Sequence, residues 1–423
     1  MNSFFRKFSV AWKDRGLRAR ILVIIGLLVV FRLLSAIPVP GIDTVRLASF
    51  LSNNQFFGIL NIFSGGGLSN LSIIMLGVGP YITASIIMQL LTIMVPRLKA
   101  LNQEEGEAGR KKFNQYSRII TIPLAVLQGF GLLMLLKKQA ILGTLTPLSL
   151  GTALVVVVAG SFLLTWIGEL MTEYGISNGT SIIIFAGIVS SMPRHISQAL
   201  FAYDVSQLPY FIIFALMGLL LIAGVVIISE AERPIPVTYA RQAHGNVQTG
   251  TVSTYVPLRV NQAGVIPIIF ALSILLLPQL LGNVLALSSK SILVTIGQAL
   301  TTFTQTTWAY GIVYFVLVFV FTYFYTAVTF DPHAMSENLQ KSGAFIPGIR
   351  PGISTEQYIA KVVSRITLVG ALFLGIIAVL PLVVKAVTGI TAIALGGTAM
   401  LIVVSVILDL IKKIDAQVSM HEY

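Results

Sequence analysis

Apolar residues in this chain come in long unbroken runs separated by short polar stretches, and that pattern predicts helices rather than strands. About 20 consecutive apolar residues cross the hydrocarbon of a bilayer. Runs that meet or approach that length lie at 21–38, 74–95, 118–136, 151–171, 180–193, 208–229, 264–284, 308–329, 366–386 and 391–410. One stretch departs from the simple form. From Gly58 to Pro96, a short apolar segment breaks at Ser64-Gly65-Gly66-Gly67, and a full-length run then restarts and meets a Gly79-Pro80 pair of its own. Non-helical backbone at membrane depth is tolerated only where protein or a water-filled cavity surrounds it. The stretch is therefore a candidate for lining and closing a path, although the Ser64–Gly67 break by itself also fits a flexible external loop.

The loops carry an orientation signal. With the N-terminus inside, six of the 28 Lys and Arg residues fall outside: Arg46, Lys137, Lys138, Arg194, Lys290 and Lys385. Arg32 lies within a span and the other 21 fall inside, so the positive-inside rule places both termini in the cytoplasm. Ten spans divide five and five. An odd count per half gives the halves opposite topology, as in an inverted repeat. The expected segments are a cytoplasmic N-terminal piece (1–20), a first five-helix half (21–193), an external connection (194–207), a second half (208–410) and a cytoplasmic tail (411–423). Two inside loops, 230–263 and 330–365, each exceed 30 residues and carry no apolar run. Loops of that length are usually functional. In the first, Val237–Arg241 and Thr251–Val260 flank Gly245-Asn246, which predicts a hairpin.

Composition settles the class as a polytopic α-helical membrane protein. Apolar residues make up 56% of the 423 and charged residues 10%, with a mean hydropathy of +0.89, far from an ordinary soluble domain. No Cys occurs, which excludes disulfides and thiolate metal sites. The first run follows basic residues but lacks a small-residue cleavage site, so it is expected to stay as the first span.

Candidate chemistry is sparse. Apart from Arg118, Lys385 and Asp409 at the very ends of their runs, only Arg32 and Glu169 lie within spans, and Arg32 is expected either to snorkel outward or to pair. The four His residues (His195, His244, His333, His421) fall in loops or the tail, with no metal-ligand spacing and no HExxH. Paired carboxylates or a nucleophile–base pair at depth are lacking too, so no metal, cofactor or catalytic role is expected. Any work done must be powered by a partner. Aliphatic residues occupy the candidate lining positions. Val78 and Ile82 stand one turn apart, a spacing that equally fits ordinary helix packing. An apolar constriction closes a pore by dewetting without charged groups.

Several long stretches resemble one family. They are the segment from Gly41 through Leu91, EGEAGRKKFNQYSR (105–118), GISNGTSIIIFAGIVS (175–190), NQAGVIPIIFA (261–271), KSGAFIPGIRPG (341–352) and LGGTAMLIVVSVILDLI (395–411). The chain is identified by them as similar to the SecY family, the channel subunits of bacterial protein translocases, over its whole length. The resemblance implies ten transmembrane helices in two inverted halves around a central hourglass pore, with a short plug helix over about Asn61–Leu71: Asn61, Ile62, Phe63, Ser64, Gly65, Gly66, Gly67, Leu68, Ser69 and Asn70. It maps the pore ring onto Val78, Ile82, Ile184, Ile188, Ile269 and Ile402. A lateral gate would lie between the second and third spans and the seventh and eighth, with polar Gln89, Asn178 and Gln262 in or beside it. Ordinary interhelical hydrogen bonding of about 1 kcal/mol or less is as good a reading of these three.

Arg241 and Arg350, in the two long loops, match a docking platform for the SecA motor and the ribosome. Guanidinium groups suit carboxylate or phosphate. At Arg241 a single base stands where relatives can carry a Lys-Arg pair, and the positive-inside bias alone also accounts for it. Implied partners are SecE, SecG, SecA, the ribosome, a preprotein or nascent chain, and membrane lipids. The implied location is the bacterial cytoplasmic membrane. The expected function is passage of unfolded preproteins across the membrane and sideways release of hydrophobic segments. The five-plus-five layout also fits a small-solute transporter, which the lack of ionisable groups at the midplane disfavours, or a scaffold with no open state.

Overall fold

The structure is a computed structural model. It describes residues 14–39, 61, 64–68, 70–103, 105–138, 146–201, 208–239, 253–286, 290–388 and 391–422. The order is α1 (Arg15–Ser35), α2 (Gly79–Met94), α3 (Pro96–Gln103), α4 (Gly106–Lys138), α5 (Pro147–Tyr174), α6 (Gly179–Phe201), α7 (Leu208–Glu230), β1 (Glu232–Tyr239), β2 (Ser253–Arg259), α8 (Ile266–Leu285), α9 (Ser291–Gln305), α10 (Thr307–Thr329), α11 (Pro332–Lys341), β3 (Ala344–Phe345), α12 (Ile353–Thr388) and α13 (Thr391–Glu422). By length and apolar content, five helices among the described residues are able to cross a bilayer alone. They lie within Gly106–Lys137, Pro147–Tyr174, Ile266–Leu285, Thr307–Lys341 (α10 together with α11) and Ile353–Val384, and a sixth forms if α2 and α3, bent by 118° at Val95, count as one span. The helices α1, α6, α7 and α13 lie on four further apolar runs of the sequence.

Local chemistry explains several boundaries. The Asp14 carboxylate caps α1 by accepting from the Gly16 and Leu17 amides at 3.1 and 3.2 Å. The Thr146 hydroxyl caps α5, with Pro147 in the first turn. Gly79-Pro80 does not interrupt a helix, as the sequence suggested; it starts one, and residues 73–78 are turns. Proline lacks the N–H that a first turn leaves unused, and its fixed φ suits that position.

Contacts group the chain into two compact units, described separately. The first comprises Met1–Ala215, Leu272–Tyr310 and Pro381–Tyr423. Within it α2 packs on α4, α4 on α5, α5 on α6, and α6 on α13. The end of α13 passes beyond the predicted span into the tail, where Val418 joins Leu17 of α1 and Ile176 in a buried cluster. Ser177 fastens the same region, donating to the Asp409 carboxylate at 2.7 Å and accepting from the Lys413 ammonium at 3.2 Å. The second unit comprises Leu216–Ala271 and Gly311–Leu380. Its three-stranded sheet has the order β2-β1-β3, and β1 pairs antiparallel with β2 from Glu232↔Arg259 to Thr238↔Ser253. The predicted hairpin is present, with β1 starting five residues before Val237. Ile235, Val237, Leu258, Ala344 and Ile346 pack on Ile359, Val362 and Val363 of α12. That helix starts thirteen residues before its predicted span, so the second long loop is partly helical.

Ser161 of α5 donates to the Gly77 carbonyl at 2.8 Å, and both residues are buried. Removing the donor leaves a buried acceptor unmatched, at about 1–3 kcal/mol. S161A is expected to lower the thermal midpoint of the purified protein, measured by tryptophan fluorescence or scanning calorimetry. An unchanged midpoint would mean that water replaces the hydroxyl.

Candidate functional site

The segment between α1 and α2 is the centre of the candidate site. From Ser64 onward its described residues, 64–68 and 70–78, are turns apart from Ser72, which pairs with Pro38 in an isolated bridge. The plug helix implied by resemblance is not what they form; helical backbone in this segment is described only at Asn61. Three successive glycines explain the turns, since Gly65 and Gly66 adopt φ of 63° and 86°, which side chains other than glycine rarely take. Ile62, Phe63 and Ser69 lie outside the described residues.

Although buried, the segment satisfies much of its own backbone. The Ser64 hydroxyl donates to the Asn61 carbonyl at 3.0 Å and accepts from the Leu68 amide at 2.9 Å. The Gly66 amide also donates to Asn61, at 2.8 Å. The Ser72 hydroxyl donates to the Gly67 carbonyl at 3.0 Å. A bridge ties the segment to the chain leaving α1: the Val39 amide donates to Leu71 at 2.9 Å and the Ile73 amide to Ile37 at 3.0 Å.

Three helices seat this segment. A Cβ on Gly65 would meet the Phe31 ring of α1 at 2.3 Å, so the glycine lies flat against that ring. On α6, a Cβ on Gly187 would stand 2.1 Å from the Gly65 Cα, which makes this a backbone-on-backbone contact. On α5, a Cβ on Gly160 would stand 2.0 Å from the Ile73 carbonyl oxygen. Arg32 completes the seat. It does not merely snorkel: its Nη1 donates to the Ser190 Oγ at 3.2 Å, and both groups lie within 4 Å of where a Gly66 Cβ would point. The sequence reading missed Phe31, Gly160, Gly187 and Ser190. The small residues of α6 were the available signal, since close backbone approach needs them.

All six aliphatic positions assigned to the ring are buried, none more than 7% exposed. Val78 and Ile82 sit at the start of α2, Ile184 and Ile188 on α6 on either side of Gly187, and Ile402 on α13, all in the first unit. Ile269, on α8, belongs to the second unit. The segment's seat and two of the ring positions therefore share one helix. Glu169, the other charge within a span, is paired too: the Arg118 guanidinium grips it with two contacts, the Nε–Oε1 bond at 2.6 Å.

The three polar positions differ in setting. Gln89 donates to Ser85 at 3.2 Å, while its buried Oε1 has no hydrogen-bond partner among the described residues. Asn178 caps α6, its Oδ1 accepting from the Ser181 amide at 3.3 Å. Gln262 is half-buried in the turns before α8. In the second unit, Arg350 stands exposed on a loop with left-handed Gly348 and Gly352. The Arg350 carbonyl accepts from the Thr355 hydroxyl at 2.9 Å, and the Ser336 hydroxyl of α11 donates to the Gly352 carbonyl at 2.8 Å, which pins the loop. Nearby, His333 lies 2.9 Å from the Glu356 carboxylate, and that hydrogen bond raises the imidazole pKa above its usual value. Arg241 lies outside the described residues. Among the described residues, no group of three or more His, Asp or Glu side chains is arranged to hold a metal ion.

Comparison with known proteins is decisive at this point. The family model described as SecY matches residues 72–411. The chain belongs to the SecY family. The protein translocase subunit SecY of Synechocystis is 42% identical over 419 residues, covering 96% of this chain and 93% of that protein. The SecY of Thermus thermophilus is 42% identical over 434 residues, covering 99% and 96%. Among solved structures, one described as a protein conducting channel superposes with a TM-score of 0.67 at 18% identity, covering 95% of this chain and 93% of that one. Another, in which the plug domain of SecY is described as stabilising the closed channel, gives 0.64 at 19% identity over 95% and 92%. The SecY family chain is thus a membrane protein whose fold is that of these channels.

Gly187 offers a direct test of the seat. G187A places a methyl group against the Gly65 backbone, which is expected to dislodge the segment and raise resting ion conductance in planar bilayers. Gly26 of α1, where a Cβ meets nothing within 4 Å, is the control, and G26A is expected to stay tight. A G187A protein as tight as wild type would show that the seat does not hold a seal.

Proposed function

We propose that this chain is the channel-forming subunit of a bacterial Sec translocase, passing unfolded preproteins across the cytoplasmic membrane. Membership of the SecY family, with relatives named as protein translocase subunits over nearly the full length, is the observation that carries this reading. Both termini are cytoplasmic, and ten spans form two inverted halves, 21–193 and 208–410, around the path. SecE, SecG, the SecA motor, the ribosome and the preprotein are the partners, and the chain itself performs no catalysis.

In this reading the segment Asn61–Asn70 is the plug and the six buried aliphatic residues form the ring. A translocating chain presents every kind of side chain, so the constriction must admit all and bind none tightly. Flexible aliphatic side chains close around a moving chain and exclude ions by dewetting, whereas a charged ring would hold opposite charges. Burial of all six positions supports the assignment, as does the plug's seat on α6 beside two of them. Gln89, whose buried oxygen has no hydrogen-bond partner among the described residues, is a gate residue able to gain a partner when the helices part. Hydrophobic segments leave sideways through that gate into the lipid. Arg350, held out on a braced loop, docks SecA carboxylates or ribosomal phosphate, and Arg241 acts with it from the first loop.

Proteoliposomes holding the chain with its SecE partner are expected to import a preprotein when SecA and ATP are added; no import would sink the proposal. R350E is expected to fold normally and to lose most SecA-driven import, and undiminished import would remove the docking role. Opening the ring with I82G and I184G together is expected to raise resting conductance, measured in planar bilayers. A tight recording from that double variant would contradict the gasket.

A further inference from the structure

The fifteen residues of α9 lie between two helices long and apolar enough to span, α8 and α10. At 1.5 Å per residue α9 is about 22 Å long, short of the roughly 30 Å hydrocarbon core. Its side chains fall into three sectors. One packs against the protein. A Cβ on Gly297 would stand 2.7 Å from both the Gly282 carbonyl oxygen of α8 and the Ala286 nitrogen, and a Cβ on Gly282 would reach Thr301 at 3.0 Å. A second sector is apolar and open, with Ile292 75% and Ile296 46% exposed, one turn apart, and Ala299 and Phe303 continuing the same line. The third, also exposed, is polar: Ser291, Thr295, Gln298 and Thr302.

A helix wholly in water would not expose an isoleucine stripe, and one wholly in lipid would not carry the polar row beside it. Both are accounted for if the helix axis lies in the boundary plane, with protein on one flank, acyl chains below and water above. The level fits. α10 starts two residues after α9 ends, and Trp308 in its first turn is 65% exposed, the position where indole rings sit at a membrane surface. α9 bears no acidic or basic residue, so the attraction is to the acyl boundary of the bilayer and not to a particular headgroup charge.

We infer that α9 is an interfacial helix that docks its Ile292–Ile296 stripe into the bilayer surface and, through the Gly282–Gly297 contact, anchors the end of α8 at that level. This rests on the chain spanning a membrane and not on the plug or ring assignment.

The chain contains no cysteine, so a nitroxide can be placed on one introduced cysteine at a time at Ile292, Ile296, Thr295 and Thr302. Each full-length protein is reconstituted in phosphatidylethanolamine–phosphatidylglycerol vesicles. Collisions with oxygen, which concentrates in acyl chains, are compared with collisions with a water-soluble nickel chelate. Labels at Ile292 and Ile296 are expected to favour oxygen several-fold over those at Thr295 and Thr302, at a depth of about 5–10 Å. Equal nickel access at all four sites would place the helix in water and overturn the inference. Low access to both reagents at the isoleucines would overturn it as well, because a protein partner or second copy would then cover them. The readout is independent of protein transport, so it stands or falls separately from the channel reading.

Discussion

A backbone amide or carbonyl in the interior of a membrane must find a partner within the protein, because no water is there to supply one. The turns at 64–68 and 70–78 meet that constraint. They lie against the middle of α5, where Gly160 and Ser161 hold Ile73 and Gly77. Serine hydroxyls at 64 and 72 serve as local partners, and the bridge to Ile37 and Val39 takes up further groups. A segment so satisfied stays folded without being helical. Non-helical structure also leaves it joined to its neighbours by contacts that can be broken, chiefly the bare glycine surfaces at Gly65 and Gly187 and the Arg32–Ser190 hydrogen bond. In the proposed reading, where the segment is the plug, contacts of this kind let it both close the path and leave it.

The same use of glycine recurs where helices meet other backbone. Gly370 of α12 admits the Val260 carbonyl, with a Cβ there only 2.8 Å from it, and Gly375 fits the Phe315 ring of α10. Without a hydrophobic drive between helices in lipid, close packing of this sort is a main source of association. The second unit adds a water-soluble device, a sheet whose apolar face rests on the start of α12. Arg350 projects from the loop that follows β3, braced by hydrogen bonds to α11 and α12. A long helix continuous with a span thus carries the exposed loop on a rigid base.

Much of this was legible in the sequence because lipid imposes a strong pattern: apolar runs located the helices and the Gly245-Asn246 signal located the hairpin. Three features were not. Residues 73–78 are as apolar as a helix yet form turns, since a contact 84 residues away at Ser161 decides their path. Arg32 gains its partner 158 residues along the chain. The helix α9 reads as loop because its run is short, interrupted by Gly297 and dotted with threonine. The site residues came largely from resemblance. Val78, Ile82, Ile184, Ile188, Ile269 and Ile402 differ in no chemical way from dozens of other buried aliphatic residues.

In the proposed channel these aliphatic residues surround the moving chain. A translocating preprotein arrested by a folded domain and carrying a single cysteine tests it, since the channel chain has no cysteine of its own. Partner cysteines are introduced singly at Ile82, Ile184 and Ile402, and at Ile119 and Val155, which are exposed on the outside of their helices. Disulfide formation is then measured as the arrested position is moved residue by residue. A ring around the chain gives cross-links at all three positions within the same narrow window of preprotein residues and none at Ile119 or Val155. Cross-links distributed evenly over all five sites, or absent from the ring, would contradict it.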